Sequence, residues 1–410
     1  MSVKQSYISR AIAASIAEAL TWSRIVTVCG ARQVGKSTLV RELEQGKRAY
    51  YTLDDPETLD AALHDPSGFA KGLTLPATID EIQRAPSLLL PIKIAADTSR
   101  EPGRFLLTGS ANLLSLPKIA DSLAGRVQIF ELQSLAQSEI EGSSANIIDA
   151  LFSAQRHWVS KATPATEIAD RIVRGGYPET LSLTPHQRTR WFENYVQTLM
   201  QRDILDIARI EHSVEMRRLL RIIAARTGRI LNASALSSDI ELPPRTILRY
   251  LDILDLAFLT FRISGWAGDR ARRHIRSPKA FLTDTGLAAA LTGLDATALL
   301  KDRNHIGGLL ESFVVGEIRR QASWSEQRAT LYHYRTNNGS EVDLLLETSD
   351  ERRIGIEIKA SASVGHNEVR TLLQAADEGF IERGIVFSTG ETVVPLRENV
   401  HIVPVANLWA

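Results

Sequence analysis

Gly30-Ala-Arg32-Gln33-Val34-Gly35-Lys36-Ser37-Thr38 is the stretch on which the reading of this 410-residue chain turns. It follows the apolar run Ile25-Val-Thr-Val-Cys29, the composition of a buried parallel strand, and opens a helical stretch from Thr38 to Gln45. Strand, then G-x-x-x-x-G-K-[ST], then helix is the context that a phosphate-binding P-loop requires. Its glycines let successive backbone N–H groups turn inward around phosphates, and the following helix adds the positive end of its dipole. Lys36 is placed to reach the β- and γ-phosphates and Ser37 to bind Mg²⁺, so ATP and Mg²⁺ are the expected cofactors. Gly30, Arg32, Gln33, Val34, Gly35 and Thr38 complete the expected cradle.

Working outward, strand-like runs recur at Ile25–Cys29, Arg48–Leu53, Thr74–Ile79, Arg104–Thr108 and Val127–Leu132, with helical stretches between them. That alternation predicts a mostly parallel sheet covered by helices on both faces. The third run ends in Asp80-Glu81, an acidic pair suited to hold Mg²⁺ (Asp80) and to act as general base on the attacking water (Glu81). The fourth ends in Leu107-Thr108-Gly109-Ser110-Ala111-Asn112, where Thr108 or Ser110 would face a γ-phosphate. The helical stretch Lys118 to Ala124 stops at Gly125-Arg126. These last two places resemble the sensor and the arginine finger of AAA-type ATPases. The resemblance implies that Arg126 serves a neighbouring subunit, hence a homo-oligomer. An arginine capping its own helix's terminal carbonyls reads equally well from the residues.

Composition sets outer bounds. A chain of this length is expected to form two or three domains. With 48 Lys+Arg against 48 Asp+Glu, no global field announces a nucleic-acid or membrane partner. Cys29 is the one cysteine, so intrachain disulfides are excluded and a reducing, cytoplasmic setting is expected. No signal-peptide pattern and no apolar run of 18 residues is present, so no membrane partner is expected.

The middle of the chain reads as a helical lid or linker over 141–212, then a winged helix-turn-helix over 213–300. Gly175-Gly-Tyr-Pro-Glu179 is a sharp turn, and Trp191 to Ile207 keeps helical apolar spacing. Arg202-Asp203, inside that apolar face, reads as a helix–helix contact. Helical stretches at Val214–Ala225, Ala233–Ser238 and from Pro243-Pro244 to Leu254 precede strand-like runs Ala257–Ile263 and Ala280–Leu282. Arg245, Thr246 and Arg249 would project from the recognition helix, and Arg270, Arg272, Arg273, His274 and Arg276 would form a wing facing DNA phosphates. Residues 201–280 hold 15 Lys/Arg against 9 Asp/Glu, so a local positive excess exists within a neutral chain. A lid or an oligomer contact is the competing reading of the same fold.

From about 301 to 410 the pattern becomes α/β again. An amphipathic helix carries Glu311; strands follow at Thr330–Tyr334, Ser340–Glu347 and Ile354–Lys359, with later strands at Ile385–Ser388 and Val400–Val403. Strand periodicity puts Glu357 and Lys359 on one face, and an antiparallel partner would bring Asp343 beside them. Two carboxylates and a lysine so placed would bind Mg²⁺ and orient a water toward a phosphodiester. This set, with Glu311 upstream, resembles the PD-(D/E)XK nuclease fold, although Val342 stands where that name has proline. A solvent-facing Glu/Lys pair is the bland alternative.

Taken in order, the pieces resemble the prokaryotic AAA-type ATPases that carry a C-terminal domain related to the restriction-endonuclease fold. The resemblance rests on Gly30–Thr38, Thr78–Arg84, Phe105–Asn112, Leu123–Val127, Gly175–Glu179, Arg202-Asp203, Gly339–Asp343 and Gly355–Ala360. It implies an α/β chain with an AAA-type P-loop domain over 1–140 and a nuclease-like domain over 301–410. The expected function is ATP hydrolysis coupled to DNA binding or processing. A switch protein whose nuclease-like domain binds a partner without cutting is the alternative.

Overall fold

The computed structural model describes residues 7–44, 46–110, 125–154, 158–201, 213–269, 273, 277–336 and 339–410. The chain divides into two compact units, Met1–Ser134 with Leu256–Phe258, and Leu135–Asp255 with Leu259–Ala410. The main segment of the first unit ends at Ser134. The parts expected over 141–212, 213–300 and 301–410 all contribute to the second unit.

Unit 1 is built on five strands, β1 (Ile25–Cys29), β2 (Ala49–Thr52), β3 (Ala77–Asp80), β4 (Phe105–Gly109) and β5 (Val127–Glu131), in the order β2-β3-β4-β1-β5. Every pairing is parallel. Parallel strands need crossovers that cover both faces, which is why β1, β3 and β4 are buried throughout and read as continuous apolar runs. Leu53, Ala62, Leu88, Leu89 and Ile92 pack with Ile25, Ile79, Phe105 and Leu107 in one buried cluster. Because all strands run the same way, the turns after β1, β3 and β4 share one edge of the sheet. Ligands in sheets of this kind bind at that carboxyl edge.

Unit 2 starts with helices that include Ala165–Arg174, Pro185–Gln201, Ser213–Ala225, Ala233–Ile240 and Pro244–Leu256. Asn232 caps the fourth by accepting from Ala235 N–H at 3.0 Å, and Pro244 opens the fifth where its missing N–H has no partner to lose. A hairpin follows, β6 (Thr260–Ile263) antiparallel to β7 (Lys279–Leu282), and Ile230 bridges to Lys279 on the other side of β7. The expected Gly175-Gly176 turn is a packing centre. Gly175 sits at φ +68°, and a Cβ on Gly176 would lie 2.2 Å from the Leu135 carbonyl oxygen, so neither place admits a side chain. Asp284 binds Gly176 N–H and caps Thr285–Thr292, while Tyr177 is buried among Trp191, Phe192 and Tyr195.

The rest of unit 2 is a six-stranded mixed sheet, β8 (Ala329–Arg335), β9 (Glu341–Thr348), β10 (Arg353–Lys359), β11 (Arg383–Ser388), β12 (Val394–Pro395) and β13 (Val400–Pro404). Its order is β12-β13-β11-β10-β9-β8, parallel through β10, β11 and β13 and antiparallel at both margins. The helix Arg370–Asp377 buries Leu372, Leu373 and Ala376 against Leu345, Ile381 and Val386 in one cluster. The helix Arg303–Ala322 carries Glu311 and Glu317.

Candidate functional site

At the carboxyl edge of the first sheet the P-loop folds as its residues require. Gly30 (φ +151°), Gln33 (φ +63°) and Gly35 (φ +96°) take left-handed backbone angles, and a Cβ on Gly30 would lie 2.1 Å from the Leu132 carbonyl oxygen. Arg10 braces the loop by donating to the Val34 carbonyl at 2.9 Å. Val34 is buried, while Gln33 and Thr38 are exposed and Arg32 half-buried. Lys36, only 5% exposed, donates its Nζ to the carbonyls of Gly30 (3.1 Å) and Ala31 (2.8 Å). Burial lowers its pKa below the ordinary lysine value, with Glu81 and Asp80 opposing that shift. An ammonium held on carbonyls keeps its charge and can transfer to phosphate oxygens, which are stronger acceptors.

The acidic pair is held by neutral donors. Asp80 Oδ1 accepts from Ser37 Oγ at 3.0 Å and from Thr108 Oγ1, and Asp80 Oδ2 accepts from Tyr50 OH at 2.6 Å. Thr108 in turn accepts from Glu81 N–H at 3.1 Å. Glu81 lies at φ +60°, a costly angle for a residue with a Cβ, and its carboxylate accepts from Gln83 Nε2, which also donates to Ser110 Oγ at 2.9 Å. The two sensor candidates therefore hold different carboxylates: Thr108 touches Asp80, and Ser110 reaches Glu81 through Gln83.

Tyr50 and Gln83 escaped sequence reading. The signal for Tyr50 was weak: one residue of a strand adjacent to the acidic one, with the Arg41 guanidinium 4.4 Å from its ring centre. Burial and the hydrogen bond to Asp80 push the Tyr50 phenol up to about 12, so it donates at any physiological pH. Ser37 Oγ and Asp80 Oδ1, 3.0 Å apart, form a donor set of the kind Mg²⁺ takes in P-loop proteins.

Arg126 pairs with Asp97 at 2.6 Å, and Arg24 reaches the same carboxylate at 3.4 Å. It precedes β5, whose Val127 is level with Ile25, the first residue of β1. The P-loop leaves the other end of β1, about 16 Å away at ~3.3 Å per residue. Arg126 thus cannot serve the nucleotide of its own P-loop from this position. The helical stretch expected at 118–124 lies outside the described residues, as do Ala111-Asn112.

In unit 2, Asp343 on β9, Glu357 and Lys359 on β10 and Glu311 on the helix Arg303–Ala322 lie in one cluster with Glu341 and Lys279. Asp343 Oδ2 accepts from Ile358 N–H at 2.8 Å, and Glu357 Oε1 pairs with Lys359 Nζ at 2.7 Å. Lys279 Nζ, 3% exposed, lies 2.8 Å from Glu311 Oε1, 2.7 Å from Glu341 Oε1 and 3.7 Å from Asp343 Oδ1. Glu357 is 7% exposed and its Oε2 has no hydrogen-bond partner. Burial first, then the Asp343 charge, pushes Glu357 up to about 8 and Glu311 up to about 7; burial also raises Asp343. Among the described residues no group of three or more His, Cys, Asp or Glu side chains is arranged to hold a metal by itself. A site here would be of the two-carboxylate kind that Mg²⁺ accepts with water filling its shell.

Of the arginines expected at DNA, Arg245 and Arg249 are exposed on the helix Pro244–Leu256. Arg272 lies outside the described residues, with Arg270, His274, Arg276 and Arg202-Asp203. Arg273 corrects the expectation. It is 7% exposed, paired with Glu347, bonded to the Ala267 carbonyl at 2.7 Å, and set against the rings of Trp266 and Tyr332. A guanidinium enclosed this way positions its loop on the sheet and is not offered to a phosphate.

The parallel sheet, its P-loop and the acidic pair together define an AAA-type P-loop ATPase domain, and a family model described as an AAA domain matches residues 23–141. Models of two domains of unknown function, DUF8612 and DUF4143, match residues 165–298 and 306–408. The protein Rv2008c of Mycobacterium tuberculosis (strain H37Rv) is 31% identical over 398 residues, spanning 96% of this chain and 83% of its own. Mb2031c of Mycobacterium bovis matches to the same extent. The chain belongs to the family of these two proteins. Among solved structures, the Walker-type ATPase PABY2304 of Pyrococcus abyssi superposes with a TM-score of 0.43 at 14% identity, over 70% of this chain and 97% of that one. No helix among the described residues is long and apolar enough to cross a membrane.

Proposed function

We propose that unit 1 hydrolyses ATP with Mg²⁺ and that turnover gates the binding and processing of DNA by unit 2. The observation that carries the first half is the network joining Ser37, Asp80, Thr108 and Glu81, which holds a cation site and a general base at one end of the P-loop. Lys36 leaves its carbonyls for the phosphates, and Glu81 takes a proton from water as that water's oxygen bonds to the γ-phosphorus. The bond from that phosphorus to the β–γ bridging oxygen breaks and ADP leaves. Ser37 and Asp80 would hold Mg²⁺, which when bound would supply charge neutralisation at the phosphates. An arginine finger at Arg126 would act on a second copy's nucleotide, after release from Asp97.

For unit 2, three helices followed by a hairpin, with Ile230 bridged to Lys279 of β7, support a winged-helix reading. Exposed Arg245 and Arg249 are its DNA-facing charges. The mixed sheet with Asp343, Glu357 and Lys359 on one side supports the nuclease-like reading. The unpartnered Glu357 Oε2 beside Asp343 is the feature that fits a divalent cation, which would supply charge neutralisation at a phosphodiester. The decisive experiment is a cleavage and binding assay on duplex DNA with Mg²⁺ or Mn²⁺, with and without ATP. Cutting that Asp343→Ala removes while ATP hydrolysis persists is the expected result. Salt-sensitive binding weakened by Arg245→Ala/Arg249→Ala is expected alongside it. Affinity no better than that of a neutral control protein, with no cutting, would replace this reading with the ATP-controlled switch.

A further inference from the structure

Lys279 belongs to the hairpin, not to the sheet that carries the carboxylates, yet its ammonium sits among them. Its backbone is fixed from both sides, by Ile263 across the hairpin and by Ile230 at the bridge. Its Nζ takes two short ion pairs, to Glu311 and Glu341, and lies 3.7 Å from Asp343 Oδ1. With those carboxylates around it and 3% of its surface exposed, it has no line to a substrate phosphate. Counting charges, Glu311, Glu341, Asp343 and Glu357 stand against Lys279 and Lys359. Four carboxyl groups thus share two ammonium groups, and one of their oxygens, Oε2 of the buried Glu357, has no hydrogen-bond partner. A buried carboxylate without a partner is costly, so the cluster takes up a further positive charge, which a proton or a metal cation can supply. A cavity of about 500 Å³, lined by Thr227, Arg229, Thr292, Gly308 and Glu311, gives access to the Glu311 side of the cluster.

We propose that Lys279 is an internal counter-ion that competes with a divalent cation for Asp343 and Glu311, so that the seat of the β6–β7 hairpin sets the occupancy of the site. Like charges a few ångströms apart in a partly dry site repel strongly. A cation entering beside Asp343 therefore weakens the hold on Lys279, and whatever draws the hairpin away frees the carboxylates for the cation. The coupling is reciprocal. The proposal rests on the metal-site reading above and gives it a regulator within the same chain.

The test is Mn²⁺ titration of the full chain, followed by electron paramagnetic resonance of free Mn²⁺, for wild type, Lys279→Met, Lys279→Arg and Asp343→Asn. Lys279→Met should bind at least tenfold tighter than wild type, Lys279→Arg about as wild type, and Asp343→Asn should lose the site. Because Lys279→Met also strands its partners and can fail to fold, amine labelling of wild-type Lys279 read by mass spectrometry supplies a second measurement. Labelling should rise when Mn²⁺ saturates the site. If Mn²⁺ binds wild type in an Asp343-dependent way but affinity and labelling ignore Lys279, the counter-ion role is wrong and the metal site stands. If neither wild type nor a folded Lys279→Met binds Mn²⁺, both readings fall.

Discussion

The two carboxylate sites of this chain are held in opposite ways. In unit 1, Asp80 is held by the hydroxyls of Ser37, Tyr50 and Thr108, while the nearby lysine rests on carbonyl oxygens. In unit 2, Glu311, Glu341 and Glu357 are paired with ammonium groups, and one of those, Lys279, comes from a separate hairpin. Hydroxyls orient a carboxylate without neutralising it, so its charge stays available to a metal. Ammonium groups neutralise, and a metal must displace or outbid them. The first arrangement is prepared for a cation; the second already has a partial substitute for one.

The largest expected effect separates the two sites outright. Lys36→Ala should lower ATP affinity and turnover on the order of 10²–10³-fold, the scale seen when one preorganised charge-stabilising donor is removed. Mn²⁺ binding at the unit 2 cluster should be unchanged. Equilibrium binding of a fluorescent ATP analogue checks the first half, and a wild-type affinity there would overturn the role given to Lys36.

A smaller effect tests whether hydroxyls prepare Asp80. Tyr50→Phe removes one of its donors and leaves the ring stacked by Arg41. A hydrogen bond to a charged group contributes about 1.5–3 kcal/mol, and with Ser37 and Thr108 still donating to Asp80 only part of that is expected to be lost. The Mg²⁺ concentration for half-maximal ATP hydrolysis should rise about three- to tenfold, with Mg²⁺-free nucleotide binding unaltered. An unchanged Mg²⁺ requirement would mean that Ser37 and Thr108 suffice.

What was legible in the sequence follows from how local each feature is. The P-loop spans nine consecutive residues and its strand and helix flank it directly, so its fold and chemistry could be read together. Asp343, Glu357 and Lys359 were legible because strand alternation fixes faces and an antiparallel partner fixes neighbours. Lys279 was not, since it meets Glu311 from 32 residues away through a different element. Arg273 misled for the same reason. A loop arginine reads as solvated, whereas Glu347, 74 positions later, and two aromatic rings enclose it. The different partners of Thr108 and Ser110 were not legible either, since Ser110 meets Glu81 only through Gln83.

Glu317 offers the smallest and most controlled refinement, because it lies between the two extremes. It is 1% exposed on the helix Arg303–Ala322, with one neutral donor, Gln137 N–H at 2.8 Å, and one cation, Arg320 Nη1 at 3.0 Å. Burial outweighs the arginine and pushes its pKa from 4.5 up to about 7. A carboxyl raised in the folded state binds its proton more tightly there than when unfolded. Its contribution to stability is therefore full below about pH 4.5 and is lost as pH rises to about 7, with a slope of at most about 1.4 kcal/mol per pH unit for one proton. Glu311 and Glu357 add slopes of the same sign, so the difference between two proteins is the useful quantity. Urea unfolding at pH 5, 6 and 7 should show wild type losing stability faster than Glu317→Gln, which keeps an acceptor for Gln137 and carries no titrating group. Equal slopes would mean that Arg320 holds Glu317 ionised throughout, and that a single well-placed cation is enough to settle a buried carboxylate in this unit.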